Sequence, residues 1–180
     1  MIVFNIVARV ADDKNFFDSV LICVSKIKNN IGPIKLNIIG EIQSETIFNK
    51  LIAMALELNI LENVLFTNKS IRYEDLDETY LSGYFLNFSV GNFVGYSPIE
   101  AISLGLKTII INVDSDIYES GVTDISYCNN MEELYEFAVN VFQNEREVSK
   151  KVIEENLIRK NCFYLNEQES KTLLNYFKGI

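Results

Sequence analysis

A chain of 180 residues with 48% hydrophobic and 23% charged residues has the composition of an ordinary globular protein. Such a chain buries roughly 70% of its unfolded surface, and no apolar run here nears the ~20 residues of a membrane span. The net charge of -9 excludes a general nucleic-acid binder, and the absence of histidine removes Ser-His-Asp and Cys-His sites, His-ligated zinc and any imidazole base from this chain.

The opening "MIVFNIVARV" lacks a basic n-region and a small-residue cleavage site, so Ile2–Ala8 reads as a first strand rather than a signal peptide. Arg9 stands at its end and Lys14 at the predicted start of the first helix, whose stripe is Phe16, Phe17, Val20, Leu21, Val24 and Ile27. Two cations beside a helix N-terminus make an anion site, because amide donors and the helix dipole add to their charge. The alternative is that Arg9 pairs with Asp12 or Asp13 while Lys14 is a solvated helix residue.

"IGP" breaks the helix, and "IKLNIIG" is a second, nearly continuous apolar strand ending at Gly40. That single glycine does not make a G-x-G-x-x-G dinucleotide pattern, and no phosphate-binding G-x-x-x-x-G-K-[ST] segment exists. Ile47, Leu51, Ala55 and Leu58 at regular steps predict a second helix, and "NVLF" a third strand. "YEDLDETYL" reads as a helical patch, "YFLNFSV" as a fourth strand, "PIEAISLG" as a short helix ended by Gly105, and "KTIIINV" as a fifth strand. Beyond a loop around Gly121, "ISYC" predicts a small sixth strand. Asn130 and Glu133 form a capping box at the start of the next helix, and the remaining segments to the C-terminus read as polar helices.

Strands apolar on both faces and separated by helices predict an α/β fold, a single Rossmann-like doubly wound parallel sheet of about six strands in one domain over residues 1–180. Cys23, Cys128 and Cys162 are far apart and fit reduced, mostly buried thiols of a cytoplasmic protein. Asp12, Asp13, Asp114 and Asp116 lack the Thr/Ser and Lys context of a phosphorylatable, Mg²⁺-binding aspartate.

In such sheets ligands bind beyond the carboxyl ends of the strands. The Arg9–Lys14 turn, the Gly40 turn and the Gly91–Pro98 loop all fall there. In "VGNFVGYSPIEA", Gly91 and Gly95 permit close backbone approach, Ser97 is placed as an N-cap, and Pro98 suits a first helical turn. Glu100 would lie in that first turn, accepting hydrogen bonds from a diol or simply complementing the helix dipole.

The order of these features resembles the C-terminal, donor-binding domain of group 1 (retaining, GT-B fold) glycosyltransferases over roughly Ile2–Gly121. The family's first strand ends in an Arg with a Lys opening the helix, here Arg9 and Lys14, and its second strand ends at a glycine, here Gly40. "LNILENVLFTN" follows a recurrent family segment, with Asn68 where glycine is usual. "NFVGYSPIEAISLG" after Ser89 follows the family's "EGFGLPPLEAMACG": Gly95, Pro98, Glu100, Ala101 and Gly105 match. Asn92 stands where the first Glu of the E-x7-E motif belongs, and Phe93 replaces a glycine.

The resemblance implies the donor-binding half of a hexosyltransferase-like enzyme of polysaccharide or glycoconjugate biosynthesis, using a nucleoside diphosphate sugar as substrate, with no cofactor and no metal. Arg9 and Lys14 would hold the donor diphosphate and stabilise it as leaving group. Glu100 would bind the ribose, and the amides of Gly95, Tyr96, Ser97, Pro98 and Ile99 would face the diphosphate. Asn68 to Arg72 would lie beside the base, and Asn92, with Phe93 and Val94, would approach the sugar. The acceptor-binding half would come from a parent chain or a partner subunit, and the 180 residues alone would be inactive in transfer. The alternative function is a noncatalytic module of the same fold that binds a nucleotide or a partner chain.

Overall fold

Runs of β-branched and aromatic residues supply six strands to one parallel sheet in the computed structural model, which describes residues 1–89, 96–114 and 124–163 together with 168, 171–172 and 174–175. The strands are β1 (Ile2–Val7), β2 (Ile34–Ile39), β3 (Val64–Phe66), β4 (Tyr84–Ser89), β5 (Thr108–Asn112) and β6 (Tyr127–Cys128). The helices are α1 (Phe17–Asn30), α2 (Glu45–Glu57), α3 (Glu78–Leu81), α4 (Tyr96–Ser103) and α5 (Met131–Phe163). The sheet runs β3-β2-β1-β4-β5-β6 with every pairing parallel. The chain steps from β1 outward to β3, then returns to β4 on the far side of β1. That reversal opens a crevice beyond the carboxyl ends of β1 and β4, in the doubly wound arrangement expected from the sequence.

Side chains alternate across the sheet, so each strand serves two environments. Ile2, Phe4 and Ile6, Ile34, Leu36 and Ile38, and Ile109 and Ile111 face the larger core with Val20, Leu21, Val24 and Ile27 of α1, Leu51 and Ala55 of α2, and Phe137 and Val141 of α5. The opposite face holds a smaller cluster of Ile39, Tyr73, Leu76, Phe85 and Ala101, the last from α4. That face also buries Asn5, Asn37 and Asn87. Asn37 Nδ2 donates to Asn5 Oδ1 at 2.8 Å, and Asn5 Nδ2 donates to the Tyr80 carbonyl at 2.8 Å. These amides are therefore satisfied, as buried polar groups must be to avoid a desolvation cost.

Three local expectations are corrected. The patch Tyr73–Leu81 is not one helix but a 3₁₀ turn, Tyr73–Asp75, followed by α3. Asp77 caps α3 by accepting the Thr79 N–H at 2.9 Å, and such side-chain bonds compete with a continuous helix. α1 starts at Phe17, so Lys14 lies in the preceding turn, its N–H bonded to the Ala11 carbonyl. Asn130 does cap α5, its Oδ1 accepting from the Glu132 and Glu133 N–H groups, but Glu133 reaches back to the Asn129 N–H at 2.7 Å rather than to that of Asn130. The two helical segments expected on either side of the Asn144–Glu145 boundary are both present in α5, joined across a kink at Asn144, whose φ of -152° and ψ of 65° leave the helical region.

Cys23 and Cys128 are buried free thiols. Burial pushes Cys23 up to about 12 and raises Cys128 as well, because the thiolate loses hydration. The side chain of Cys162, Asp116, the Gly121 loop and most of the final predicted helix lie outside the described residues. Among the described residues no helix is long and apolar enough to cross a membrane.

Candidate functional site

The β1–β2 ladder continues past its strands as paired loops. Ala8 N–H bonds to the Ile39 carbonyl, Val10 N–H to that of Glu41, and Gln43 and Ser44 N–H groups to that of Val10. This pairing forces the Gly40 backbone against Ala8: a Cβ on Gly40 would lie 2.2 Å from the Ala8 carbonyl oxygen and 2.9 Å from the Arg9 nitrogen. Glycine is required there by close approach. Gly40→Ala is therefore expected to destabilise the fold by about 1–3 kcal/mol, the cost of overpacking, read as a lower midpoint in urea unfolding with an unchanged slope.

Around this contact is a cleft of about 350 Å³, with Arg9, Lys14, Gly40 and Gln43 on one side and Ser70 and Ile71 on the other. Both predicted cations thus reach one concavity. Arg9 spans it with a forked guanidinium: Nη1 donates to Gln43 Oε1 at 2.8 Å, and Nη2 to Asp13 Oδ2 at 2.9 Å. Lys14 Nζ lies 3.7 Å from the same Asp13 oxygen. Of the two acids that the sequence left as partners of Arg9, the turn selects Asp13; Asp12 instead accepts from the Ser44 hydroxyl. The Arg9 and Asp13 side chains are 47% and 53% exposed, so their ion pair is worth at most about 1 kcal/mol. An anion entering the cleft can displace Asp13 at little cost and meet two positive charges.

The segment expected beside a base meets the cleft through Ser70 and Ile71. Asn68 has φ 47°, the left-handed region that glycine and asparagine tolerate best, and this explains how asparagine can stand where the family segment has glycine. Its Oδ1 accepts the Ile42 N–H at 3.1 Å, and Thr67 Oγ1 accepts the Gly40 N–H at 3.2 Å. Asn68 thus clamps the loop to the rim of the cleft. Arg72 does not line it: its Nε donates to Asp75 at 2.9 Å, and that bond, then the Asp75 charge, raises the guanidinium further.

α4 follows β4, on the side of β1 away from β2. Ser97 is its second residue rather than its cap, and Pro98 sits buried in the first turn. Pro98 has no N–H, so the donors described at this helix start are those of Tyr96, Ser97 and Ile99. Tyr96 is exposed, Ile99 half-buried, and Glu100 exposed in the second turn instead of the first. Gly91, Asn92, Phe93, Val94 and Gly95 lie outside the described residues. The cleft and α4 share a floor: Val7, Ile39 and Ile71 pack with Tyr73 and Ala101 in the smaller cluster. At the front, Phe16 stacks on Phe88 of β4, with ring centroids 3.8 Å apart, tying the turn that carries Lys14 to the strand that leads to α4.

Sequence reasoning missed Gln43 and Tyr73. Gln43 carries no motif, and its place beside Arg9 comes from the paired loops. The Tyr73 hydroxyl lies 2.7 Å from Ser97 Oγ, a contact between two connections of the sheet that no local pattern reveals. Among the described residues no three Asp, Glu, Cys or His side chains gather as metal ligands, and Asp116 lies outside the described residues.

No protein-family model and no curated protein matches this chain. Solved structures do. A glycosyltransferase from Rickettsia africae superposes with a TM-score of 0.70 at 18% identity over 99% of this chain and 48% of its own. HepE from Anabaena, solved in complex with UDP and glucose, gives 0.68 at 14% identity over 96% of this chain and 48% of its own. The C-terminal domain of a group 1 family glycosyl transferase from Francisella tularensis gives 0.61 at 12% identity over 86% of this chain and 82% of its own. The chain spans about half the length of the first two. With its six-stranded parallel sheet flanked by helices, it has the fold of one half of a GT-B glycosyltransferase.

Proposed function

We propose that the chain is the donor-binding half of a retaining glycosyltransferase that uses a nucleoside diphosphate sugar. The observation that carries this reading is the convergence of Arg9 and Lys14 on one cleft at the carboxyl ends of the central strands, beside Gly40. The diphosphate would enter there, displace Asp13 and lie between the two cations and the first-turn amides of α4. As the bond from the anomeric carbon to the β-phosphate oxygen breaks, negative charge grows on that oxygen. Arg9 and Lys14 oppose it with fixed positive charge, which lowers the barrier to departure. These residues and amides supply the charge without a metal ion. Glu100 would accept the ribose hydroxyls, and Ser70 and Ile71 would flank the base.

The test is calorimetric titration with UDP and, separately, inorganic pyrophosphate. Glu100→Gln is expected to weaken UDP about threefold to tenfold, the loss of part of a charged hydrogen bond, and to leave pyrophosphate binding unchanged. Equal losses for both would refute a ribose role. A second reading, a noncatalytic module of the same fold, is favoured by the amide of Asn92 at the position of a family carboxylate.

A further inference from the structure

Tyr73 is the buried aromatic of the β3–β4 connection, 5% exposed and packed edge-on against Phe85 with ring centroids 5.7 Å apart. Its hydroxyl reaches α4, 2.7 Å from Ser97 Oγ, and Ser97 Oγ in turn lies 3.4 Å from Asn87 Oδ1 on β4. Ser97, Glu100 and Ala101 are spaced three and four residues apart, on one face of α4. Ala101 belongs to the same apolar cluster as Tyr73. Burial raises the Tyr73 phenol above its ordinary range, the bond to Ser97 works against that, and the nearby charge of Glu100 adds a smaller upward push. Tyr73 follows Ser70, Ile71 and Arg72 directly, so a single side chain joins the segment at the rim of the cleft to the helix that carries Glu100.

The geometry points to Tyr73 as a positioning residue that sets the distance between the nucleoside-side segment at Ser70–Ile71 and the α4 turn bearing Ser97 and Glu100. The inference rests on the donor-binding reading above. The end of α4 is held by Lys160 Nζ donating to the Ser103 carbonyl at 2.8 Å, whereas at its start the Tyr73 hydroxyl makes the bond that reaches across from the β3–β4 connection and narrows their separation beyond what apolar packing does. A ligand that touches both segments needs that separation; a ligand that touches one does not. The bond therefore matters for an intact nucleoside diphosphate and not for its fragments.

NMR titration of the 180-residue chain with UDP, uridine and inorganic pyrophosphate tests this, alongside amide exchange of the free protein. Tyr73→Phe keeps the ring on Phe85 and removes only the hydroxyl. It is expected to weaken UDP about threefold to tenfold while changing uridine and pyrophosphate by less than about twofold. In Tyr73→Phe with Ser97→Ala the loss is that of one bond, not two. Parallel weakening of all three probes, or no change in UDP, overturns the inference. If the wild type binds neither UDP nor the other nucleoside diphosphates (ADP, GDP, CDP, dTDP), the donor-binding reading fails, and exchange of the Ile99–Ile102 amides then decides the role of Tyr73. Faster exchange in Tyr73→Phe supports a residue that holds α4, and unchanged exchange overturns it.

Discussion

Arg9→Ala and Lys14→Ala are each expected to weaken UDP binding by about 1.5–3 kcal/mol, the range for hydrogen bonds to charged groups, or roughly tenfold to 150-fold. Arg9 has the larger effect, because its planar fork can exchange both present acceptors, Gln43 and Asp13, for two phosphate oxygens. Asp13→Asn is expected to act in the opposite direction. Its carboxylate now partners both cations, so removing that charge spares the ligand the work of displacing it and leaves the cleft more positive. Calorimetry on the three variants in low salt, then in added salt, gives a signed pattern of two losses and one gain. Raised salt should shrink all three differences, because these groups are largely exposed. Unchanged affinity in both alanine variants would remove the cations from the proposed site. Tightening by Asp13→Asn with no loss in the alanine variants would mean that the anion binds elsewhere on a less acidic surface.

The second large effect is on turnover. The 180 residues alone are expected to bind donor and to transfer no sugar. Transfer needs an acceptor hydroxyl held within ~3–3.5 Å of the anomeric carbon in a site that excludes water. Among the described residues, the proposed site is lined by Arg9, Lys14 and the half-exposed rim of the cleft, and the acceptor site is not assigned to any of them. We propose that a second domain, in a parent chain or a partner subunit, supplies that wall. The measurement is product formation from several nucleotide sugars and mixed acceptors, first with the purified chain, then with the second half added. Robust turnover by the monomer would overturn this expectation and place the acceptor site within these residues. Donor binding without turnover, even with the second half present, would favour the noncatalytic module.

Most of the fold was legible because its signals are local. "IVFNIV", "IKLNII" and "TIIIN" are β-branched runs that read as strands whatever surrounds them, and the stripe from Phe17 to Ile27 has the period of a helix with one buried face. Gly105 closes α4 as expected, with φ 77°, because a left-handed residue there is a property of the chain itself. Boundaries read less well where side chains intervene. Asp77 splits the Tyr73–Leu81 segment by capping, and the turn before α1 holds Lys14 three residues ahead of the first helical residue. The strand asparagines were read simply as members of apolar runs, since the ladder that satisfies them joins Asn5 to Asn37 on a neighbouring strand and to Tyr80 in a distant connection.

The candidate site divides the same way. The sequence by itself determined which residue types stand at the strand ends: Arg9, Lys14, Gly40 and Glu100, with no histidine among them. Strand order and loop pairing decided the rest. They chose Asp13 over Asp12 as the acid shared by the cations, and they set Gln43 against Arg9. They explained Gly40 by the Ala8 carbonyl 2.2 Å from where its Cβ would be, and they brought Tyr73 to Ser97 across 24 residues of chain. The physical reason is range. Periodicity and turn chemistry act over a few residues and are written in the order of the chain, whereas a hydrogen bond or a steric contact between two connections exists only once the parallel sheet has laid their strands side by side.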